Sequence, residues 1–152
     1  MDGDNMDNRL MVGVSKVDIT PAVGCHLFGY RPDLFSESVN DSLTATTFFF
    51  RQGNKTALMI TTCICLLDTS VADSLRLSIE KKYGIKKEDI LICATHSGPS
   101  MNNMPGWGEI DTEYNDTIYT TGVIRSVQEA IGNAQYVTMG VGYGESLLGV
   151  NR

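Results

Sequence analysis

The chain has 152 residues, enough for one domain of ordinary size, and its 42% apolar and 20% charged residues are typical of a globular protein. Its formal net charge of −6 argues against nucleic acid or an anionic membrane surface as a partner, because both attract clustered positive charge. The longest apolar stretch, residues 56–67, is interrupted by threonines and is shorter than the roughly 18 residues that a membrane-spanning helix needs.

The start of the chain predicts a short tail and a cytoplasmic protein. Residues 1–9 are expected to form a flexible tail before a domain over residues 10–152. The acidic first residues lack the basic and then apolar character of a signal peptide, which favours a cytoplasmic location. The four cysteines form no CxxC pair, so we interpret them as small buried thiols in a reducing compartment.

A strand, a long loop and a hairpin are predicted next. Apolar and polar residues alternate over residues 11–19, as in a half-buried strand, and residues 22–40 form a long irregular loop that could line a pocket. The predicted strands 43–50 and 57–67 flank the turn residues 52–55, a pattern that favours an antiparallel hairpin.

The middle of the chain predicts a strand, a helix and a strand in succession. Residues 68–70 form an N-cap cluster, apolar residues recur every four positions from Val71, and Gly84 ends the helix. Residues 90–94 are continuously apolar, as expected for a strand that is buried on both faces. This βαβ order makes residues 57–67 and 90–94 parallel neighbours or near neighbours.

The last third predicts one more helix and one more strand. The helix is capped near residues 111–112 and ends at Gly132, and residues 136–143 are predicted to form a strand. The fold class is therefore α/β, a mixed sheet with a β-hairpin, one βαβ unit and flanking helices. Residues 144–152 contain no closing element, so we expect an incomplete domain.

Candidate site residues lie where the two parallel strands end. Asp68 follows the first strand of the βαβ unit and His96 follows the second, and sites in open α/β sheets form at such carboxyl ends. Asp68 is also a good helix N-cap in its own right, which explains a residue of this kind more often than catalysis does. A lone histidine at a strand end is likewise more often structural, but the loop position of His96 favours function.

The residues alone leave the type of chemistry open. A catalytic zinc site takes three protein ligands, and the chain has only two histidines, His26 and His96. Further ligands would have to be the acidic residues Asp68, Glu109 or Asp111. A cysteine nucleophile that pairs Cys25 or Cys93 with a histidine is conceivable, although no motif supports it.

Five short segments resemble one enzyme family in order and spacing over nearly the whole chain from Leu10. They are Gly13-Val14-Ser15-Lys16-Val17-Asp18-Ile19-Thr20-Pro21, Gly29-Tyr30, Asp41-Ser42-Leu43, Ile90-Leu91-Ile92-Cys93-Ala94-Thr95-His96-Ser97-Gly98-Pro99 and Gly149-Val150-Asn151-Arg152. Together they resemble the N-terminal part of the neutral/alkaline non-lysosomal ceramidase family.

The resemblance implies a zinc-dependent amidohydrolase that cleaves the N-acyl bond of ceramide into a sphingoid base and a fatty acid. It implies that His96 binds zinc and that Arg152 lies in the active site, where a guanidinium can stabilise an oxyanion. Asp68 is expected near this site as a catalytic residue. The residues expected to contact substrate are Gly29, Tyr30, Ser97 and Gly98.

One departure from the family leaves two alternatives. The family shows two histidines before Ser-Gly-Pro, whereas this chain has Ala94-Thr95-His96, so His96 corresponds to the second histidine and the family's ligand is the first. Either a two-residue deletion lets His96 take the ligand role, or the metal site is altered. The other family ligands lie beyond Arg152, so the expected partners are an amide or lipid substrate and the missing C-terminal half or an oligomer partner. The alternative function is a non-catalytic binding or assembly module.

Overall fold

A computed structural model describes residues 8–28, 31, 33–97, 99 and 111–149 of the chain. In these residues three strands come first, and the two remaining strands follow among helical segments. The elements are β1 (Leu10–Asp18), β2 (Thr44–Gln52), β3 (Lys55–Thr62), α1 (Thr69–Tyr83), a 3-10 turn (Lys87–Asp89), β4 (Ile90–Ala94), α2 (Thr112–Tyr114), a π-helical turn (Asn115–Tyr119), α3 (Thr120–Gly132) and β5 (Gln135–Tyr136).

The strands form one mixed sheet in the order β4-β3-β2-β1-β5. The hairpin of β2 and β3 is antiparallel and turns at Gly53, whose φ of 57° suits glycine, while β3 and β4 are parallel neighbours. The predicted fold class, with its hairpin and its βαβ unit, is therefore confirmed. None of the described helices is long and apolar enough to cross a membrane.

The buried face of the sheet holds the core. Alternate residues of β1, β2 and β3 are buried, and the buried side chains of α1 and α3 join them in one apolar cluster. The other face carries an apolar row in cross-strand register, formed by Val14, Phe48, Met59 and Leu91. Leu91 is 52% exposed, so the prediction that β4 is buried on both faces is wrong for the described residues. Only one face of β4 is buried, because Ile90 and Ile92 pack in the core cluster that contains buried residues of α1.

Close packing and buried hydroxyl groups fix α3 on the sheet. Gly13 lies directly against the Ala130 carbonyl group. The Ser15 hydroxyl donates to the Ser126 carbonyl oxygen over 2.6 Å. The Ser126 hydroxyl donates to the Val123 carbonyl oxygen over 2.8 Å. Thr47 Oγ1 lies 2.6 Å from Ser126 Oγ and donates to it, because the single Ser126 proton is already used. These bonds satisfy polar groups that would otherwise be buried without partners.

Two strands and one loop differ from the sequence prediction. β3 ends at Thr62 rather than at residue 67, because the following residues turn to pair with the loop after β4. β5 covers only Gln135–Tyr136 instead of residues 136–143, because its partner β1 begins at Leu10 and the ladder ends there with the bond from Val137 N to Leu10 O. The loop predicted over residues 22–40 contains a small hairpin, bridged at His26 and Phe35.

The contact at Gly13 generates a stability prediction. A methyl group at this position would overlap the main-chain oxygen of Ala130, which cannot move without displacing α3. We expect Gly13→Ala to lower the free energy of unfolding in urea by at least about 2 kcal/mol. The control is Gly132→Ala near the end of α3, where no atom lies within 4 Å of the added carbon, and which should be neutral or stabilising by up to about 1 kcal/mol. Equal stability of Gly13→Ala and the wild type would contradict this packing.

Candidate functional site

The hydrogen bonding between β3 and β4 continues beyond both strand ends. Thr95 N donates to Thr62 O over 3.0 Å, and Ser97 N donates to Ile64 O over 3.2 Å. Cys65 N then donates to Pro99 O over 2.7 Å. These bonds hold the two connecting segments side by side at the carboxyl edge of the sheet, where sites in α/β folds form.

His96 lies within this edge in an unusual backbone conformation. Its φ of 63° falls in the left-handed region, which a residue with a side chain adopts at a cost, and the bonds of Thr95 and Ser97 on either side hold it there. Its Nδ1 lies 3.0 Å from the carbonyl oxygen of Cys65 and 3.3 Å from the Cys65 sulfur. Because a carbonyl oxygen only accepts hydrogen bonds, Nδ1 carries the proton and neither contact uses Nε2.

Asp68 has a different role in the structure. Its carboxylate caps α1 by accepting hydrogen bonds from Ser70 N over 2.8 Å and from Ser70 Oγ over 2.7 Å. These two bonds lower the pKa of the Asp68 carboxyl below its ordinary value. No hydrogen bond joins Asp68 to His96 among the described residues, so its catalytic role stays a prediction.

The other predicted site residues are only partly within the described ranges. Ser97 is exposed, its N–H is used in the bond to Ile64, and its hydroxyl lies 3.0 Å from the Thr95 hydroxyl. Its hydroxyl rather than its main-chain N–H is therefore available to a substrate. Four further predicted residues lie outside the described residues, namely Gly29, Tyr30, Gly98 and Arg152.

Cys65 is the site residue that the sequence prediction missed. It is 2% exposed, and burial raises the pKa of its thiol, so it is a poor candidate for a nucleophile. The cysteines considered from the sequence were Cys25, whose sulfur accepts from Ser36 Oγ over 3.4 Å, and Cys93, which lies in β4. Thr62 pairs with Ala94 in parallel register, and extending this pairing by two residues places residues 64 and 65 beside His96. An extension of this strand pair could therefore have identified Cys65.

Among the described residues His96 fits the role of a zinc ligand, but these residues do not provide the complete set of ligands that a zinc site needs. In known zinc sites the ligating histidine donates its second ring N–H to a carbonyl or carboxylate oxygen, and His96 does this with Cys65. Within the described ranges, however, no group of three or more His, Cys, Asp or Glu residues could hold a metal ion. Any zinc bound at His96 would therefore need ligands from outside the described residues.

An apolar cavity lies beside the loop after β4. Its volume of about 480 Å³ is within the range of small-molecule pockets. Its apolar lining comes from Pro21, Leu27, Leu34, Phe35, Leu43 and Pro99. Residues of the 22–40 loop thus line a pocket, as expected. A larger cavity of about 680 Å³ lies beside the hairpin turn at Asn54, at the other end of the strands, and contains no candidate site residue.

Comparison with solved structures finds ceramidases. The chain matches neutral ceramidase from Pseudomonas aeruginosa with a TM-score of 0.72 and 23% identity over 86% of its length. A ceramidase complexed with C2 matches with the same TM-score, identity and coverage. Neither a protein-family model nor a curated protein matches the sequence. The described part of the chain therefore has a ceramidase-like fold, and the chain spans 22% of the length of each solved ceramidase.

The capping role of Asp68 can be tested by substitution. Because serine also accepts hydrogen bonds at an N-cap, Asp68→Ser should keep most of the wild-type stability in urea, whereas Asp68→Ala should unfold at lower urea. The lowered pKa means that the charged cap stabilises the fold above the ordinary carboxyl pKa of 3.8, and that this advantage disappears as the pH falls through the lower folded value. If Asp68→Ala were as stable as the wild type at neutral pH, the capping role would be wrong.

Proposed function

We propose that this chain forms the N-terminal portion of a zinc-dependent amidohydrolase of the ceramidase type, which hydrolyses an N-acyl amide bond. The observation that carries the proposal is the state of His96 at the carboxyl edge of the parallel strands. Its Nδ1–H is taken by the Cys65 carbonyl oxygen, so in the neutral ring the lone pair lies on Nε2. The ceramidase-like fold and the Thr95-His96-Ser97-Gly98-Pro99 segment support the same assignment.

The chain's own residues would bind and orient the reactants. When bound, zinc would supply a hydroxide near neutral pH and polarise the amide carbonyl. His96 would hold the metal through Nε2, and Ser97 would offer its hydroxyl to the substrate. Arg152, which lies outside the described residues, is proposed to stabilise the oxyanion with its guanidinium group. The remaining zinc ligands would also come from outside the described residues.

The proposed substrate is an amide with a long apolar chain. The cavity lined by Leu27, Leu34 and Phe35 offers an apolar surface close to the loop after His96, through Pro99. A ceramide-like lipid, cleaved to a sphingoid base and a fatty acid, combines such a chain with an N-acyl bond. A cytoplasmic location is part of the same proposal.

A non-catalytic module is the second candidate, and one observation favours it. When the sequence is aligned on Ser97-Gly98-Pro99, Ala94 stands at the first motif histidine of the family that the sequence resembles. An alanine cannot bind a metal, so the described residues retain one ligand, His96, and a protein with this fold could bind a lipid or a partner without hydrolysing it.

Zinc content and amide hydrolysis test the proposal together. The complete gene product should contain one equivalent of zinc by metal analysis and should hydrolyse a fluorogenic N-acyl sphingoid amide. His96→Ala should lose most of the zinc and at least about a hundredfold in kcat/KM, because the proposed metal loses a direct ligand. His26→Ala is the matched control for zinc stoichiometry and should keep the metal.

Two outcomes would contradict the proposal, one its enzyme activity and the other its assignment of His96. Wild-type protein that folds without zinc and does not hydrolyse the amide would support the non-catalytic module. Unchanged zinc content and unchanged activity in His96→Ala would remove His96 from the site.

A further inference from the structure

We infer that Cys65 is the positioning residue of His96, with its main-chain carbonyl oxygen and its sulfur both accepting from Nδ1–H. This inference rests on the proposed function and deepens it, because a neutral histidine whose Nδ1–H is bound in this way has its ligand lone pair on Nε2. It concerns one residue, Cys65, to which neither the motif nor the fold comparison assigns a role.

The distances determine where the ring proton lies. Nδ1 of His96 is 3.0 Å from the Cys65 carbonyl oxygen, a hydrogen-bond distance that requires a donor, and the oxygen has no proton to give. Nδ1 therefore carries the proton. The Cys65 sulfur, 3.3 Å from the same nitrogen, then acts as a second acceptor, and its own S–H points elsewhere. The opposite arrangement, with S–H donating to Nδ1, would place a ring lone pair against the carbonyl oxygen.

Cys65 is itself held firmly enough to position another residue. Its N–H donates to Pro99 O over 2.7 Å, and its side chain is 2% exposed. The residue before it is tied to the same loop, because Ile64 O accepts from Ser97 N over 3.2 Å. Both the carbonyl oxygen and the sulfur are thus fixed relative to the backbone on either side of His96.

The conformation of His96 shows why such support is needed. Its φ of 63° directs the side chain differently from an extended strand residue, and few non-glycine residues adopt this value without local hydrogen bonds. The χ2 angle of a histidine has a broad, roughly two-fold distribution, so a hydrogen bond to one ring nitrogen restricts the orientation of the ring. The two acceptors of Cys65 remove that freedom.

The tautomer of His96 tests the inference directly on the metal-free complete gene product. Free histidine in water favours the Nε2–H tautomer, so an Nδ1–H form is diagnostic. We expect nitrogen-15 NMR of the imidazole at a pH where the ring is neutral to show Nδ1–H for His96, with His26 as the internal comparison. An Nε2–H tautomer at His96 would overturn the inference.

Variants at Cys65 test the part played by the sulfur. Cys65→Ala keeps the carbonyl bond and removes one acceptor, so the ratio of Nδ1–H to Nε2–H should fall about fivefold, the effect of one modest hydrogen bond. Cys65→Ser should restore the ratio to within about twofold, because a hydroxyl oxygen also accepts. Cys93→Ala, a thiol deletion in β4, is the matched control and should leave the ratio unchanged. A Cys65→Ala ratio equal to that of the wild type would exclude the sulfur.

Zinc affinity of the complete gene product separates this inference from the proposed function. If His96 is a ligand, Cys65→Ala should bind zinc roughly tenfold more weakly, and Cys65→Ser should recover most of the loss. An Nδ1–H tautomer in a protein that binds no zinc at His96 would uphold the role of Cys65 and reject the metal assignment. Zinc binding through His96 that is indifferent to Cys65→Ala would uphold the metal assignment and exclude the Cys65 sulfur from positioning His96.

Discussion

The candidate site depends on the parallel register of β3 and β4. Thr62 pairs with Ala94, and the same alignment continues beyond the ladder through the bonds from Thr95 N to Thr62 O and from Ser97 N to Ile64 O. This register brings the Cys65 carbonyl oxygen to His96 Nδ1. A slip of one residue would turn every side chain of β4 to the opposite face and separate the two residues.

The core supports this register from the buried face of the sheet. Thr62 is fully buried, and its hydroxyl donates across the strand pair to Cys93 O over 3.2 Å. Tyr119 OH, 3.4 Å away, then donates to Thr62 Oγ1. Burial raises the pKa of Tyr119 to about 12, so this hydroxyl stays a neutral donor across the physiological range. The π-helical turn of Tyr119 is in this way linked to the strand ends that hold His96.

The sequence predicts the elements that have local signals, but it does not predict the strand ends and contacts that depend on tertiary pairing. The hairpin turn at Gly53 and the helix between Asp68 and Gly84 have strong local signals, and both are confirmed. Residues 63–67 are apolar enough to continue a strand, but the main-chain groups of Ile64 and Cys65 pair with the loop after β4 instead, so β3 ends early. That pairing is tertiary, and the sequence pattern therefore does not identify Cys65. For Asp68, one residue type serves both capping and catalysis, and only coordinates show the capping bonds.

The most direct measurement is a crystal structure of the complete, zinc-loaded gene product with anomalous data at the zinc edge. The proposed function predicts an anomalous peak about 2.0–2.1 Å from His96 Nε2, the usual zinc–nitrogen distance. His96 Nδ1 should remain at hydrogen-bond distance from the Cys65 carbonyl oxygen in the same structure. A zinc ion bound without His96, or bound through Nδ1 with the Cys65 contact broken, would contradict the proposed role of His96.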